Sequence, residues 1–351
     1  MMNGKAQTET RQLWRRFCLT LTKWRSLGIL CILTLAISLI VNACNLAPQQ
    51  LAPLRVGITS WAGFDIVLYA QEAGLFKKRG LDVQFVRFEN QQDSTRAMLR
   101  GTLDATFVSL WDVVQSDSGS DKPVVVMVTN ISHGADGIVA QPVIKSVANL
   151  RGKRVGAKLG TVNHLVLLEA LKLHQIQPAD VKVEDISNET AVDLMQKKGL
   201  DAAAIWQPLL GETAQNIKGN IIYTTQEVDS LVIDMLVSRL TITRTKKAEL
   251  KQFIMAWLDL MSALETKPKI VFQKVAQNLG QQSEAFAKDY GGLKKGDIAM
   301  QQQMFKSGRL SEAIAQMAQL LKSDPRAGRM PRQDVEINTE LVTTAIEEWK
   351  L

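Results

Sequence analysis

The chain has 351 residues, of which 46% are hydrophobic and 22% charged, and its formal net charge is +7. That is the make-up of a globular protein of about two domains, and it excludes an intrinsically disordered, collagen-like or polytopic membrane chain. Residues 1–43 hold six cations against the single acid Glu9, so the other 308 residues carry only +2 and the basic balance is poor ground for nucleic-acid binding.

The first predicted element is a targeting segment. Residues 27–43, LGILCILTLAISLIVNA, are uncharged, follow the basic stretch Arg11–Arg25, and end in Ala43 before Cys44. A positive region, an apolar run and a small-residue cleavage site make a secretory signal. The quartet Val41-Asn42-Ala43-Cys44 resembles a lipobox, so cleavage before Cys44 and lipid attachment there are expected. The alternative is an uncleaved signal anchor, for which 17 apolar residues are short. Either way the body lies outside the cytoplasm, tethered to a membrane. Residues 44–53, with Pro48 and Pro53, read as a tether. The cysteines are Cys18, Cys31 and Cys44, so the body that follows has no disulfide, thiolate nucleophile or cysteine metal site.

From residue 54 to about 240, strand and helix signals alternate. LRVGIT (54–59) predicts a strand, 64–79 a helix ending at Gly80, and LDVQFVRF (81–88) a strand of period two. A helix through 95–100 ends at Gly101, followed by strands at 105–110 and 124–128. The pattern restarts at 146–161, with a helix over about 162–174, a strand at 181–186, a helix at 191–198, and strands at 202–206 and 221–224. LVIDMLVSR (231–239) predicts one more strand, and 245–351 reads as almost wholly helical. Two βαβ sets predict two α/β lobes, each a mainly parallel sheet flanked by helices.

In their order and spacing several pieces resemble one family. They are Trp61-Ala62-Gly63-Phe64, YAQEAGLFKKRGLDVQFVRF (69–88), GTLDATFVSL (101–110), SVANLRGKRVGAKLGT (146–161) and GLDAAAIWQP (199–208). The chain is similar over about 54–265 to the nitrate/sulfonate/taurine and thiamine-precursor (NMT1/THI5-like) substrate-binding proteins of ABC transporters. The resemblance implies a two-lobed periplasmic-binding-protein fold of type II with hinge strands near Gly137–Ala140 and Leu231–Val237. It implies a discontinuous first lobe (54–140 plus 235–325), a second lobe (141–234) and a C-terminal helical extension (326–351). It also implies a monomer that closes on a small molecule and presents it to permease subunits, without a cofactor.

Ligands in open α/β sheets sit beyond the carboxyl ends of strands, and that rule selects candidates from the residues themselves. Trp61 follows the first strand and offers a flat face, or else caps the lobe's core. Ser109 and Asp112 follow the third, where Asp112 either reaches a ligand or caps a helix. Asp136 closes the loop Ser132–Asp136 together with His133. Thr161 stands at a helix start, as a cap or as a ligand contact. Trp206 could face Trp61 across the cleft. Asp234 lies in an apolar strand, where a carboxylate is costly unless it is paired or faces the cleft. A metal site is not expected, since His164 and His174 are ten residues apart and share no helix face. With three acids and no Lys or Arg at matching positions, the cleft leans toward a neutral or cationic ligand such as an aminopyrimidine or another amine.

The leading expectation is therefore a non-enzymatic, membrane-tethered binding protein of an ABC importer. The alternatives are an enzyme on the same fold acting on a pyrimidine or related small molecule, and the ligand-sensing part of a receptor.

Overall fold

The computed structural model describes residues 51–117, 121–324, 326 and 331–350. The targeting segment and Cys44 lie outside the described residues. Of the tether, Ala52 donates its N–H to the Glu249 carboxylate at 3.3 Å.

Among the described residues, twelve strands follow in chain order. They are β1 (Leu54–Ile58), β2 (Val83–Arg87), β3 (Ala105–Ser109), β4 (Pro123–Ser132), β5 (Asp136–Ala140), β6 (Arg154–Ala157), β7 (Lys182–Asp185), β8 (Ala202–Trp206), β9 (Asn220–Thr224), β10 (Ile233–Arg239), β11 (Leu293–Lys295) and β12 (Glu336–Ile337). They form two sheets. The first runs β11-β4-β10-β3-β1-β2, with β12 also on β4, and the second runs β7-β6-β8-β5-β9. Helices pack on both, as an α/β fold requires.

Parallel pairing holds where a crossover helix links the strands: β1 with β2 and β3, and β6 with β7 and β8. It gives way where the chain passes between sheets. β10 is antiparallel to β3 and β4, and β5 is antiparallel to β8 and β9. β5 lies wholly in the second sheet and β10 in the first, so the passages fall at 133–135 and between β9 and β10. The sequence-based boundary at 140 thus sits at the far end of a second-sheet strand. Thr225 ties the two passages together: its hydroxyl lies 2.8 Å from that of Ser132 and accepts the Gly134 N–H at 2.8 Å.

The central strands of the second sheet are buried on both faces, so they read as apolar runs rather than as alternation. Ile138, Ala140, Ala202 and Ala204 join the large core, while Val139, Ala203 and Ile205 face the opposite way into a smaller cluster with Met195 and Leu210. β4 is twice as long as its apolar run predicts, because Thr129, Asn130 and Ser132 continue it with buried polar side chains. β11 and β12 interrupt the region expected to be helical. The stretch 326–351 is more than a helical extension: β12 pairs with β4, and Trp349 donates its indole N–H to Asp259 at 2.9 Å.

A C-terminal strap spans both lobes. Helix Arg309–Ser323 packs on helices Leu110–Val114 and Val162–Leu173. Just after it, the Asp324 carboxylate lies 3.1 Å from His164 Nε2, while Arg326 donates to Asp324 at 2.8 Å and to the Pro178 carbonyl at 3.2 Å.

Candidate functional site

A cavity of about 870 Å³ lies between the carboxyl ends of the two sheets' strands, within the size range of small-molecule sites. Of the seven side chains selected from sequence, Trp61, Asp112, Asp136, Thr161, Trp206 and Asp234 line it, and Ser109 does not.

The floor is built by strand pairing. Asp234 on β10 stands opposite Ser109 on β3 and Asn130 on β4. Residues directly opposite share a face, so all three point the same way. Trp61, the residue before helix Ala62–Asp65, donates its indole N–H to Asp234 at 2.8 Å. That helix approaches β4 so closely that a Cβ on Gly63 would lie 2.2 Å from the Asn130 amide, which explains the glycine. Asp136 on β5 stands opposite Trp206 on β8 in the same manner, placing an acid beside an aromatic face.

Ser109 serves the floor indirectly. It caps helix Leu110–Val114, accepting the Asp112 N–H at 3.1 Å and donating its own hydroxyl to the Asp112 carboxylate at 2.6 Å. Asp112 is therefore not the cap. Its other oxygen accepts from the Gln92 amide.

Asp112, Asp136 and Asp234 are all buried, at 4%, 3% and 2% exposure. Burial raises all three: Asp112 to about 7, Asp136 to about 6 and Asp234 to about 8. Asp234 is pushed further by the nearby charges of Asp136 and Asp112, against the Trp61 hydrogen bond, which lowers it. None of the three forms an ion pair with a described Lys, Arg or His.

The buried part of the facing wall is neutral. Thr161 begins helix Val162–Leu173 but donates its hydroxyl to the Lys158 carbonyl at 2.8 Å, so it caps no helix N–H. Two residues on, Asn163 is 2% exposed and donates to Asn188 at 2.5 Å. Two buried oxygens on the cavity wall are left without a partner, Asp136 Oδ2 and Asn163 Oδ1.

The family model for NMT1/THI5-like proteins matches residues 61–269. The chain belongs to that family. Among its relatives is a putative binding protein of Brucella abortus, 33% identical over 170 residues, with 48% of this chain and 52% of that protein covered; a protein of Brucella suis matches equally. The chain spans about half the length of these curated relatives. Among solved structures, the periplasmic aliphatic sulphonate binding protein SsuA of Escherichia coli superposes with a TM-score of 0.66 at 17% identity, over 80% of this chain and 94% of that one. The Candida albicans CA3427 product, described as having the generic periplasmic binding protein fold, gives 0.61 at 13% identity, over 85% and 96%. The desulfurization enzyme DSZB gives 0.59 at 14%, over 84% and 99%. These likenesses establish a periplasmic-binding-protein fold shared by binding proteins and at least one enzyme.

Within this family member the cleft also departs from the sequence reading. Arg96, Arg100 and Lys158 line the cavity, where no cation was expected. Gln92, Arg96 and Arg100 recur every four residues along helix Gln91–Leu99 and its end, so one face of that helix runs from the acid floor to the mouth. The cations stay at the solvent edge: the Arg96 and Lys158 side chains are 40% and 48% exposed, paired with Asp93 and Asp185. Gln92 and Asn163 went unselected, although both begin a helix after a strand and the rule used for Thr161 reaches them. His133 does not line the cavity.

Proposed function

We propose that the protein is the substrate-binding component of an ABC importer, and that its ligand is a small, flat, donor-rich organic cation or amine. The observation that carries the ligand class is the chemistry of the unpartnered buried atoms in the cleft. Asp136 Oδ2 and Asn163 Oδ1 are both acceptors, carried by a strand and a helix of the second lobe, and a buried acceptor left unmade is costly. A ligand bringing N–H groups satisfies them. Asp136 and Asp234 take the charge, and the half-buried faces of Trp61 and Trp206 take the plane.

The sulfonate-binding structures share the fold, but here an anion would find no buried counter-charge on the floor and would be repelled by whichever of the three acids is ionised, which argues for a different ligand. A binding role fits the cleft better than catalysis, since no histidine among the described residues lines it and no cysteine follows Cys44. Export and lipid attachment at Cys44 would hold the body at the outer face of the membrane beside its permease.

A thermal-shift screen decides the class. Benzamidine, agmatine and 4-aminopyrimidine are expected to raise the melting temperature, while taurine, an alkanesulfonate and nitrate are not. Stabilisation by the anions alone would overturn the ligand class. Mass spectrometry of protein from native membranes should show a diacylglyceryl-modified Cys44 at the mature N-terminus; an intact 1–43 segment would overturn the anchoring.

A further inference from the structure

The three floor acids pose a charge problem that the folded chain does not itself solve. Three other buried acids of this protein have a cation in contact: Asp65 has Arg87 at 2.8 Å, Asp104 has Lys246 at 2.9 Å, and Asp324 has Arg326 at 2.8 Å, while Glu249, less deeply buried, accepts the Ala52 N–H. Asp112, Asp136 and Asp234 are as deeply buried, stand in one cavity, and have none among the described residues.

Every element around them is accounted for. β4 contributes neutral Asn130 and Ser132, β8 contributes Trp206, and helices Val162–Leu173 and Asn188–Gln196 contribute Asn163 and Asn188. Helix Ala62–Asp65 brings the Trp61 N–H, and its own acid Asp65 is held by Arg87. Helix Gln91–Leu99 brings the neutral Gln92 amide. The remaining charged groups of the cavity, Glu89, Asp93, Arg96, Arg100, Asp117, Lys158 and Glu189, occupy its solvent edge. Nor is the trio arranged around a point: no group of three His, Cys, Asp or Glu among the described residues could hold a metal ion.

A buried carboxyl without a counter-cation keeps its proton, because desolvation penalises only the charged form. We propose that this floor is a proton-exchange site, in which a cationic ligand enters the cleft as a carboxyl of the Asp136–Asp234 pair gives up its proton to solvent. The inference rests on the ligand class proposed above. The O–H bond of the carboxyl breaks, the proton passes to the buffer, and the ligand's positive charge takes its place; no covalent bond to the ligand forms.

The members differ in what they can do. Both oxygens of Asp112 are already engaged, by Ser109 and Gln92, so it acts mainly as a fixed neighbour. Asp136 keeps Oδ2 open to the ligand. Asp234 holds its proton most firmly, being pushed to about 8 by burial and then by the charge of Asp136. Protons compete with the cation, so affinity should rise with pH across the neutral range and fall toward acid. An exported protein of this kind would load less readily in acidic surroundings.

The test uses the full chain and benzamidine, whose amidinium stays charged throughout the neutral range. Calorimetric titration at pH 7 in phosphate and in Tris, which differ in ionisation enthalpy, counts the protons exchanged. The expected result is release of about one proton per benzamidine bound, with an association constant rising by well over tenfold from pH 6 to pH 8. Asp234→Asn should abolish most of that release and flatten the pH dependence while benzamidine still binds through Asp136. Asp136→Asn should weaken binding at every pH. Benzamidine binding with no proton release, or with uptake, overturns the exchange and leaves the cationic-ligand reading standing. Failure of benzamidine, agmatine and 4-aminopyrimidine all to bind overturns that reading and the exchange with it.

Discussion

The strap at Asp324 and the cleft floor at Asp234 bury the same side chain to nearly the same depth, 1% and 2% exposed. Their acidities move in opposite directions. Burial pushes both up, but at Asp324 the hydrogen bonds from Arg326 and His164 outweigh it and hold the carboxyl below its usual range. At Asp234 burial is reinforced by two neighbouring acids and opposed only by neutral donors. In the strap the chain supplies the counter-charge and gains a joint between lobes. In the cleft it withholds the counter-charge, and the deficit marks the place for a ligand.

Removing Arg326 should break that contrast. Arg326→Met strips Asp324 of its charged donor, and the unfolding free energy should fall by about 2 kcal/mol, read by urea denaturation. Cation affinity should hardly change, since Arg326 does not line the cavity. The mirror experiment is Asp136→Asn, which leaves the fold intact but should cost a cationic ligand tenfold or more in affinity by calorimetry, about 1.4 kcal/mol. Equal loss of stability from both substitutions would show that the two regions are built alike.

The pH dependence of stability separates them more finely. The Asp324 carboxyl is depressed, so its stabilisation is present above the unfolded value of 3.8 and is lost as pH falls through the lower folded value. The Asp234 carboxyl is raised, so its contribution is full below 3.8 and is lost as pH rises toward about 8. The unliganded protein should therefore melt higher at pH 5 than at pH 8. Asp234→Asn should recover a few degrees at pH 8 and almost none at pH 5 in a melting experiment.

Much of this was legible in the sequence, for local reasons. Alternation, apolar runs and turn residues located most strands and the helices between them; the rule of strand ends led to Trp61, Asp112, Asp136 and Trp206, and the cost of a carboxylate inside an apolar strand led to Asp234. What stayed hidden depends on pairing between distant segments. Nothing near Asp136 shows that Trp206 stands opposite it, and nothing near Asp234 shows that Ser109 and Asn130 flank it. β4 was cut short because its polar residues look like a loop until their buried partners are known, as when Asn130 donates to Thr129 at 3.2 Å. Ser109 was placed at the ligand because a serine after a strand can face a cavity or cap a helix, and only the structure shows that it caps. The cations at the mouth were missed because Arg96 and Arg100 reach the cleft along a helix rather than from a strand end.

The 2.8 Å hydrogen bond from the Trp61 indole to Asp234 makes one wall of the cleft an optical gauge of the other. An indole whose N–H faces a neutral carboxyl emits differently from one facing a carboxylate. Trp61 emission, isolated as the difference between the parent chain and Trp61→Phe, should therefore follow the charge of the floor as pH or ligand changes it. The cleft thus carries its own label, and its occupancy can be watched in real time without attaching a dye.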